Sequence, residues 1–245
     1  MSDEFTESIF EELLYKIKTN WETISFPEYQ KQSNVCLLRH DIDMSVHRAN
    51  KLCKIEEHSG IRATYFIWLH SPLYNFYEKE IMHLLIDIKN RNHLFGLHFD
   101  PDFYGDEINK SNFEQYLIYE KELIEQALDV KVSAFSFHNP DMGNWLDCNN
   151  DEVAGIINAY GRTFQKKFMY CSDSNGIWRH KNLFALLDDK SNRYLHILLH
   201  PEWWTPEPMS PRARVSRCIN GRAAKQHTNY DVTMRASGRL NIGMP

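Results

Sequence analysis

The sequence predicts an α/β fold built on a mostly parallel sheet. Strand-like and helix-like stretches alternate through most of the chain, the pattern of parallel strands joined by crossover helices. The run "ATYFIWL" is rich in aromatic and β-branched residues, the composition of a strand. Each of the six runs leads into an acid or an imidazole, and chemistry in α/β folds gathers at the carboxyl ends of strands. About six strands can close into a small barrel or form an open doubly wound sheet, and periodicity does not choose between them.

Phe5, Ile9, Leu13, Leu14 and Ile17 recur at helical spacing and predict an amphipathic helix over about 5–20. "NVCLLRH" (34–40) reads as a buried strand. A helix follows over 45–58, with Ser45 as N-cap and Gly60 just past its end. "ATYFIWL" (63–69) is the second strand, "EKEIMHLLIDIKNR" (78–91) a helix, and "HLFGLHF" (93–99) the third strand. Ser111 with Glu114 three residues on is a capping-box signature, opening a helix that holds Phe113, Leu117, Ile124 and Leu128. "VSAFSFH" (132–138) is the fourth strand. Residues 151–160 read as helical, "KFMYC" (167–171) as the fifth strand and "YLHILLH" (194–200) as the sixth. Ser210 and Pro211 open a polar helix to about 237, with Gly238 as its stop. There is no internal repeat and no low-complexity segment.

With 245 residues, 42% hydrophobic and 25% charged, a single domain over 1–245 is expected. A net charge of −5 gives no nucleic-acid footprint. The five cysteines (36, 53, 148, 171, 218) never form CxxC, which argues against a disulfide framework and a zinc ribbon and fits a reducing cytoplasm. "MSDEFTESIFEELL" is acidic and lacks an apolar core, so no signal peptide is expected and the expected location is cytoplasmic. No apolar run approaches membrane-spanning length.

Asp41 and Asp43 lie two apart, so in extended chain they share a side, with His40 on the other. Strand two ends at His70, strand three in His98 and Asp100, strand four in His138, strand five in Asp173 and strand six in His200. Taken singly, each has a structural reading: a hydrogen-bonded rim histidine, or a helix N-cap such as Asp43 beside Ser45. Taken together, buried uncompensated charges are costly enough that such a cluster needs a cation or mutual hydrogen bonds. One Asp and two His suit a divalent ion such as zinc, with open positions for water and substrate. A carboxylate outside that set can take a proton from water, and a separate His can protonate a leaving group.

Five segments, "RHDID" (39–43), "FGLHFD" (95–100), "SFHNP" (136–140), "DSNGIW" (173–178) and "LLHPEWW" (198–204), resemble in order and spacing the five motifs of the polysaccharide deacetylases, the NodB-homology or carbohydrate esterase family 4 superfamily. The likeness covers about residues 35–204 and is nearest to the WbmS-like branch associated with bacterial O-antigen and surface-glycan loci. It implies a distorted (β/α) barrel of about six or seven strands. It also implies a hydrolase of carbon–nitrogen bonds other than peptide bonds: a metal-dependent carbohydrate deacetylase acting on an amino-sugar glycan or its nucleotide-linked or lipid-linked precursor. Position by position, Asp41 matches the general base, Asp43 and His98 metal ligands, His200 the catalytic acid, Asp173 the acid that orients it, and Trp178 a residue lining the site.

Two positions depart from the pattern. Asp102 stands where the family has its second metal His, and the third motif, Phe137-His138-Asn139-Pro140, lacks the Arg that pairs with the base. His138 is expected to supply the missing imidazole, giving Asp43, His98 and His138 as ligands to a divalent metal, most simply Zn2+. Asp100 or Asp102 are the alternatives, with Asp100 also able to orient an imidazole from behind. Arg39 or Arg179 replaces the lost Arg beside Asp41. Asn139 and Trp203 join Trp178 as substrate-binding residues. Of Trp203 and Trp204, one is expected simply to cover the barrel end; Tyr74, Phe76 and Tyr77 invite the same two readings. The alternative to an enzyme is a catalytically inactive glycan-binding relative of the same fold. A non-haem iron oxygenase shares the two-His, one-carboxylate set but not the separate Asp41 and His200.

Overall fold

The computed structural model describes residues 5–32, 34–179 and 181–243; the first four residues of the acidic N-terminal stretch lie outside this range. The chain runs α1 (Glu7–Asn20), β1 (Glu22–Thr23), β2 (Val35–Ile42), α2 (Val46–Ser59), β3 (Thr64–Ile67), α3 (Lys79–Asn90), β4 (Leu94–Phe99), α4 (Phe113–Leu128), β5 (Val132–Phe137), β6 (Glu152–Val153), β7 (Ile156–Asn158), α5 (Arg162–Lys167), β8 (Met169–Ser172), α6 (Leu183–Asp188), β9 (Tyr194–Leu199) and α7 (Pro211–Ala236), with short 3-10 turns between. The strand order is β6-β7-β5-β4-β3-β2-β9-β8, with β1 beside the start of β2. Every pairing is parallel except β6 with β7. This is the α/β class that the alternation predicts.

Strand alternation sorts the residues into two cores. On β2, Cys36, Leu38 and Ile42 pack outward with the helices, whereas Val35 and Leu37 join Ile24, Phe26, Phe66, Ala134 and Phe164 on the other face. That inner face is concave. Arg39 Nη2 on β2 reaches the Tyr160 hydroxyl, two residues beyond β7, at 3.1 Å. β7 lies four steps from β2 in the sheet, which at about 4.8 Å per strand would be roughly 19 Å if the sheet were flat. The sheet is therefore rolled. Its path ends at β6 and β8, which do not pair, so the barrel is incomplete. Phe26, on a 3-10 turn after β1, packs against Phe66 and Phe164 at 5.4 and 5.6 Å and fills the amino-terminal end of the interior.

Helix α2 is capped as its sequence suggests. Ser45 Oγ accepts from the Arg48 N–H, and Gly60 takes the left-handed conformation (φ 68°) past the last turn. Helix α7 starts with Ser45-like chemistry: Ser210 Oγ accepts from the Ala213 N–H. Two elements differ from expectation. Helix α4 begins after Asn112 with no side-chain cap; Ser111 lies in the turn before it, its N–H and hydroxyl both donating to Asn109 Oδ1 at 2.9 and 2.5 Å. Residues 151–160 are not helical. Ala154 and Gly155 both have positive φ (51° and 75°), a two-residue hairpin turn that pairs β6 with β7 and lets β7 extend the parallel sheet from β5. The five cysteines are all free. No helix among the described residues is long and apolar enough to cross a membrane.

Candidate active site and metal centre

The carboxyl ends of β2, β4, β5, β8 and β9 converge on one mouth of the rolled sheet. Asp41 lies within β2 and Asp43 just past it; His98 lies in β4, and His138, Asp173 and His200 directly follow β5, β8 and β9. A cavity of about 540 Å³ lies there, lined by Asp41, Asp43, His98, His138, His200 and Glu202 among others.

Asp43, His98 and His138 each offer a donor atom, and these atoms lie within 4.8 Å of one another. The contacts fit a cation. Asp43 Oδ1 is buried with no hydrogen bond, although His98 Nε2 stands 3.3 Å from it. The other nitrogen of His98, Nδ1, is engaged by Ser136 Oγ at 2.8 Å and lies 3.4 Å from Asp41 Oδ2. That arrangement puts the ring proton on Nδ1 and leaves the Nε2 lone pair facing the carboxylate oxygen, two electron-rich atoms that a divalent ion would join. His138 is held from behind: Nδ1 is 3.5 Å from Asp100 Oδ1, and the ring stacks on Trp68 at 3.9 Å. Asp100 also accepts from Trp68 Nε1 at 3.1 Å and from the Asp102 N–H, so it positions the imidazole and does not join the donor group. Asp102 is exposed and outside that group as well.

Two acid–base groups flank this set. Arg39 donates to both Asp41 oxygens, Nε at 2.7 Å and Nη2 at 2.6 Å, with both side chains almost fully buried. Burial pushes the Asp41 carboxyl up, but the Arg39 charge and His98 outweigh it, and the net shift is downward. Arg39 also lies over the Phe66 and Tyr160 rings. On the far side, Asp173 accepts from His200 Nδ1 at 2.7 Å, from the His200 backbone N–H and from Trp204 Nε1. Burial lowers His200, but the hydrogen bond and charge of Asp173, with Asp43, raise it to about 10. The free Nε2 points into the cavity, 3.8 Å from Asp43 Oδ2.

The remaining candidates separate. Trp203 and Asn139 line the cavity; Asn139 Nδ2 also donates toward His138 Nε2 at 3.2 Å. Trp178 does not line it: its ring packs against Phe5 at 5.0 Å and Trp204 at 6.2 Å, drawn into the apolar contact between the residues just before α1 and the last motif. Trp204 is fully buried and serves Asp173. Arg179 lines the cavity but makes no ion pair with Asp41, whose two oxygens Arg39 already occupies. His70 falls outside the site, because β3 ends at Ile67 and the His70 ring turns to Glu120 at 3.0 Å. Tyr74 is structural, its hydroxyl donating to the Ile42 carbonyl; Phe76 is core and Tyr77 is exposed.

Three contributors escaped the sequence reading. Ser136 shares a strand face with His138, and that spacing could have revealed it. Glu202, buried with neither carboxyl oxygen hydrogen-bonded, lines the cavity; burial and the Asp43 charge push it well above the usual carboxylate range. Its signal was an acid inside the apolar run "PEWW". Tyr160 gave no signal, since its place depends on the hairpin before it.

No family model matches the chain, and no curated protein matches it. Among solved structures it is similar to a family 4 carbohydrate esterase from Bacillus anthracis, 15% identical with a TM-score of 0.45 over 89% of this chain and 86% of that one. It is also similar to a chitin deacetylase from Colletotrichum lindemuthianum, 12% identical with a TM-score of 0.43 over 82% and 86%. A third likeness is to a CE4 family pseudoenzyme from Bacillus anthracis, 14% identical with a TM-score of 0.46 over 80% of this chain and 62% of that one. The chain spans less than two thirds of that pseudoenzyme's length.

Proposed function

We propose that the protein is a metal-dependent deacylase that hydrolyses an N-acyl group on an amino sugar of a surface-glycan or O-antigen precursor. One observation carries the reading: a three-residue donor set stands between two separately oriented acid–base groups, Arg39–Asp41 on one side and Asp173–His200 on the other. Asp43, His98 and His138 would hold the divalent ion, with Zn2+ the simplest choice for this donor set. When bound, such an ion supplies Lewis acidity that polarises an acyl carbonyl and favours hydroxide at neutral pH.

The chain's own residues do the rest. Asp41 accepts the proton of the attacking water, its carboxylate fixed by Arg39. As the carbon–nitrogen bond breaks, His200 Nε2 gives its proton to the departing amine. Asp173 holds the His200 tautomer and favours its charged form. Trp203 and Asn139 bound the space for the sugar. Water and amide become carboxylic acid and amine, so atoms balance without a further co-reactant. Purified, metal-loaded protein should release acetate or formate from acylated amino sugars, and chelation should stop it. No release from nucleotide-linked, lipid-linked and polymeric acyl sugars would overturn the reading.

A glycan-binding role without turnover is the second reading. The low basicity that Arg39 imposes on Asp41 favours it. It requires sugar binding that survives Asp41→Asn, with no acyl release by the parent protein.

A further inference from the structure

A second cavity, of about 310 Å³, shares Met44 with the catalytic one. Its walls are the first turn of α2, one face of α7, and an apolar side made by Leu73, Tyr74 and Ile81 from the stretch after β3 and from α3. Helix α2 contributes His47 and Arg48, and α7 contributes Arg217, Arg222 and Lys225. The α7 residues that line it, 217, 218, 221, 222 and 225, recur at helical spacing and so form a single stripe. Five cationic or imidazole groups therefore face one small space, and no carboxylate lines it. This runs against the chain's net charge of −5.

The cations are held from outside. Arg48 pairs with Glu7 at 2.8 Å, Arg222 with Glu78, and Lys225 and His47 with Glu80 at 2.9 and 3.0 Å. Those contacts do not exhaust the donors. Arg48 is only 7% exposed, yet its Nε has no acceptor, and Arg222 Nη1 is likewise buried and unpartnered. Arg217 makes no ion pair with a described residue and is exposed. The 14-residue helix α2 adds its N-terminal N–H groups and the positive end of its dipole at the same place.

We propose that this cavity binds the diphosphate of an activated sugar, whose sugar ring passes Met44 into the catalytic cavity. Two linked phosphates match several arginine forks around a helix N-terminus, and a neutral glycan could accept from the free Arg48 and Arg222 donors but would bring no charge to the cationic walls. The sugar's fate rests on the deacylase reading; the anion site does not.

The test begins with inorganic pyrophosphate and metal-free protein, followed by calorimetry at two salt concentrations. Saturable binding is expected. It should weaken about ten-fold or more in Arg217→Glu and in Arg222→Ala, and weaken with salt. It should be unchanged in Asp43→Asn. Because Arg217 is exposed and unpaired, Arg217→Glu leaves the fold intact, which thermal unfolding checks. Absence of saturable binding, or equal affinity in both variants, overturns the proposal. Turnover is then compared for a uridine diphosphate N-acyl amino sugar, a farnesyl diphosphate N-acyl amino sugar and the free sugar. Preference for either diphosphate supports the site and tells nucleotide from lipid; equal kcat/KM for the free sugar overturns it. If no sugar is deacylated while pyrophosphate still binds, the deacylase reading falls and the anion site stands.

Discussion

At the scale of single residues, the chemistry depends on how buried charges are compensated. Arg39 and Asp41 lie two apart on the inner face of β2 and form a bidentate pair with almost no exposure. Removing one partner leaves a charge stranded, so Arg39→Met should lower unfolding stability by about 3–5 kcal/mol in urea titrations. Below them His196 is buried, its Nε2 without a partner, and burial, helped by the Arg39 charge, lowers its pKa to about 3. In the unfolded chain it returns to about 6.5. Between those values the unfolded state binds more protons, so stability falls as pH drops from about 6.5, by up to about 1.4 kcal/mol per unit. Unfolding measured at neutral and at mildly acid pH should show this slope, and His196→Phe should flatten it. For His200 the sign is opposite, since Asp173 raises it. On the proposed mechanism, Asp173→Asn should move the alkaline limb of the kcat/KM profile to lower pH, by one unit or more. A limb that stays put would separate His200 from the acid role.

At the scale of elements, single backbone and packing choices set the mouth. Gly96 on β4 faces inward, and a Cβ there would meet the Phe66 ring at 2.7 Å. Gly96→Ala should cost about 1–3 kcal/mol through overpacking, and, on the proposed metal site, it should disturb the neighbouring His98 enough to weaken metal affinity. The hairpin between β6 and β7 shows how local signals can mislead. Val153, Ile156 and Ile157 look helical in sequence, but the positive φ at Ala154 and Gly155 turns them into a strand pair. That pairing carries Tyr160 to Arg39. The Ser111–Glu114 spacing likewise matched a capping box without forming one, because Asn109 Oδ1 takes the Ser111 N–H that Glu114 would accept, and the helix starts one residue later.

At the scale of the whole molecule, the roll of the sheet creates the site. Residues on β2, β4 and on the loops after β5, β8 and β9 meet only because the inner face is concave. The two cores fix that curvature from both sides, the helices outside and Phe26, Phe66 and Phe164 within. Stability should follow the same division. Native-state hydrogen exchange should be slowest in β2, which is buried throughout and flanked by β3 and β9, and fastest in α7 beyond Lys225, where no residue is buried. Slow exchange over residues 226–236 would mean that this part of α7 is covered in solution.

The sequence alone determined the alternation of strands and helices, and the placing of acids and imidazoles at strand ends, because both are periodic or positional properties of a short stretch. It also singled out Asp43, His98 and His138, partly through a family likeness. Only the tertiary structure decided which side chains meet. His70 turned to Glu120, Trp178 packed on Phe5, Arg39 took Asp41, Glu202 came to line the mouth, and the basic face of α7 came to line a second cavity. The reason is physical: a pattern along the chain fixes which face a residue occupies, whereas contact between distant residues depends on how far the sheet curls and where each strand stops.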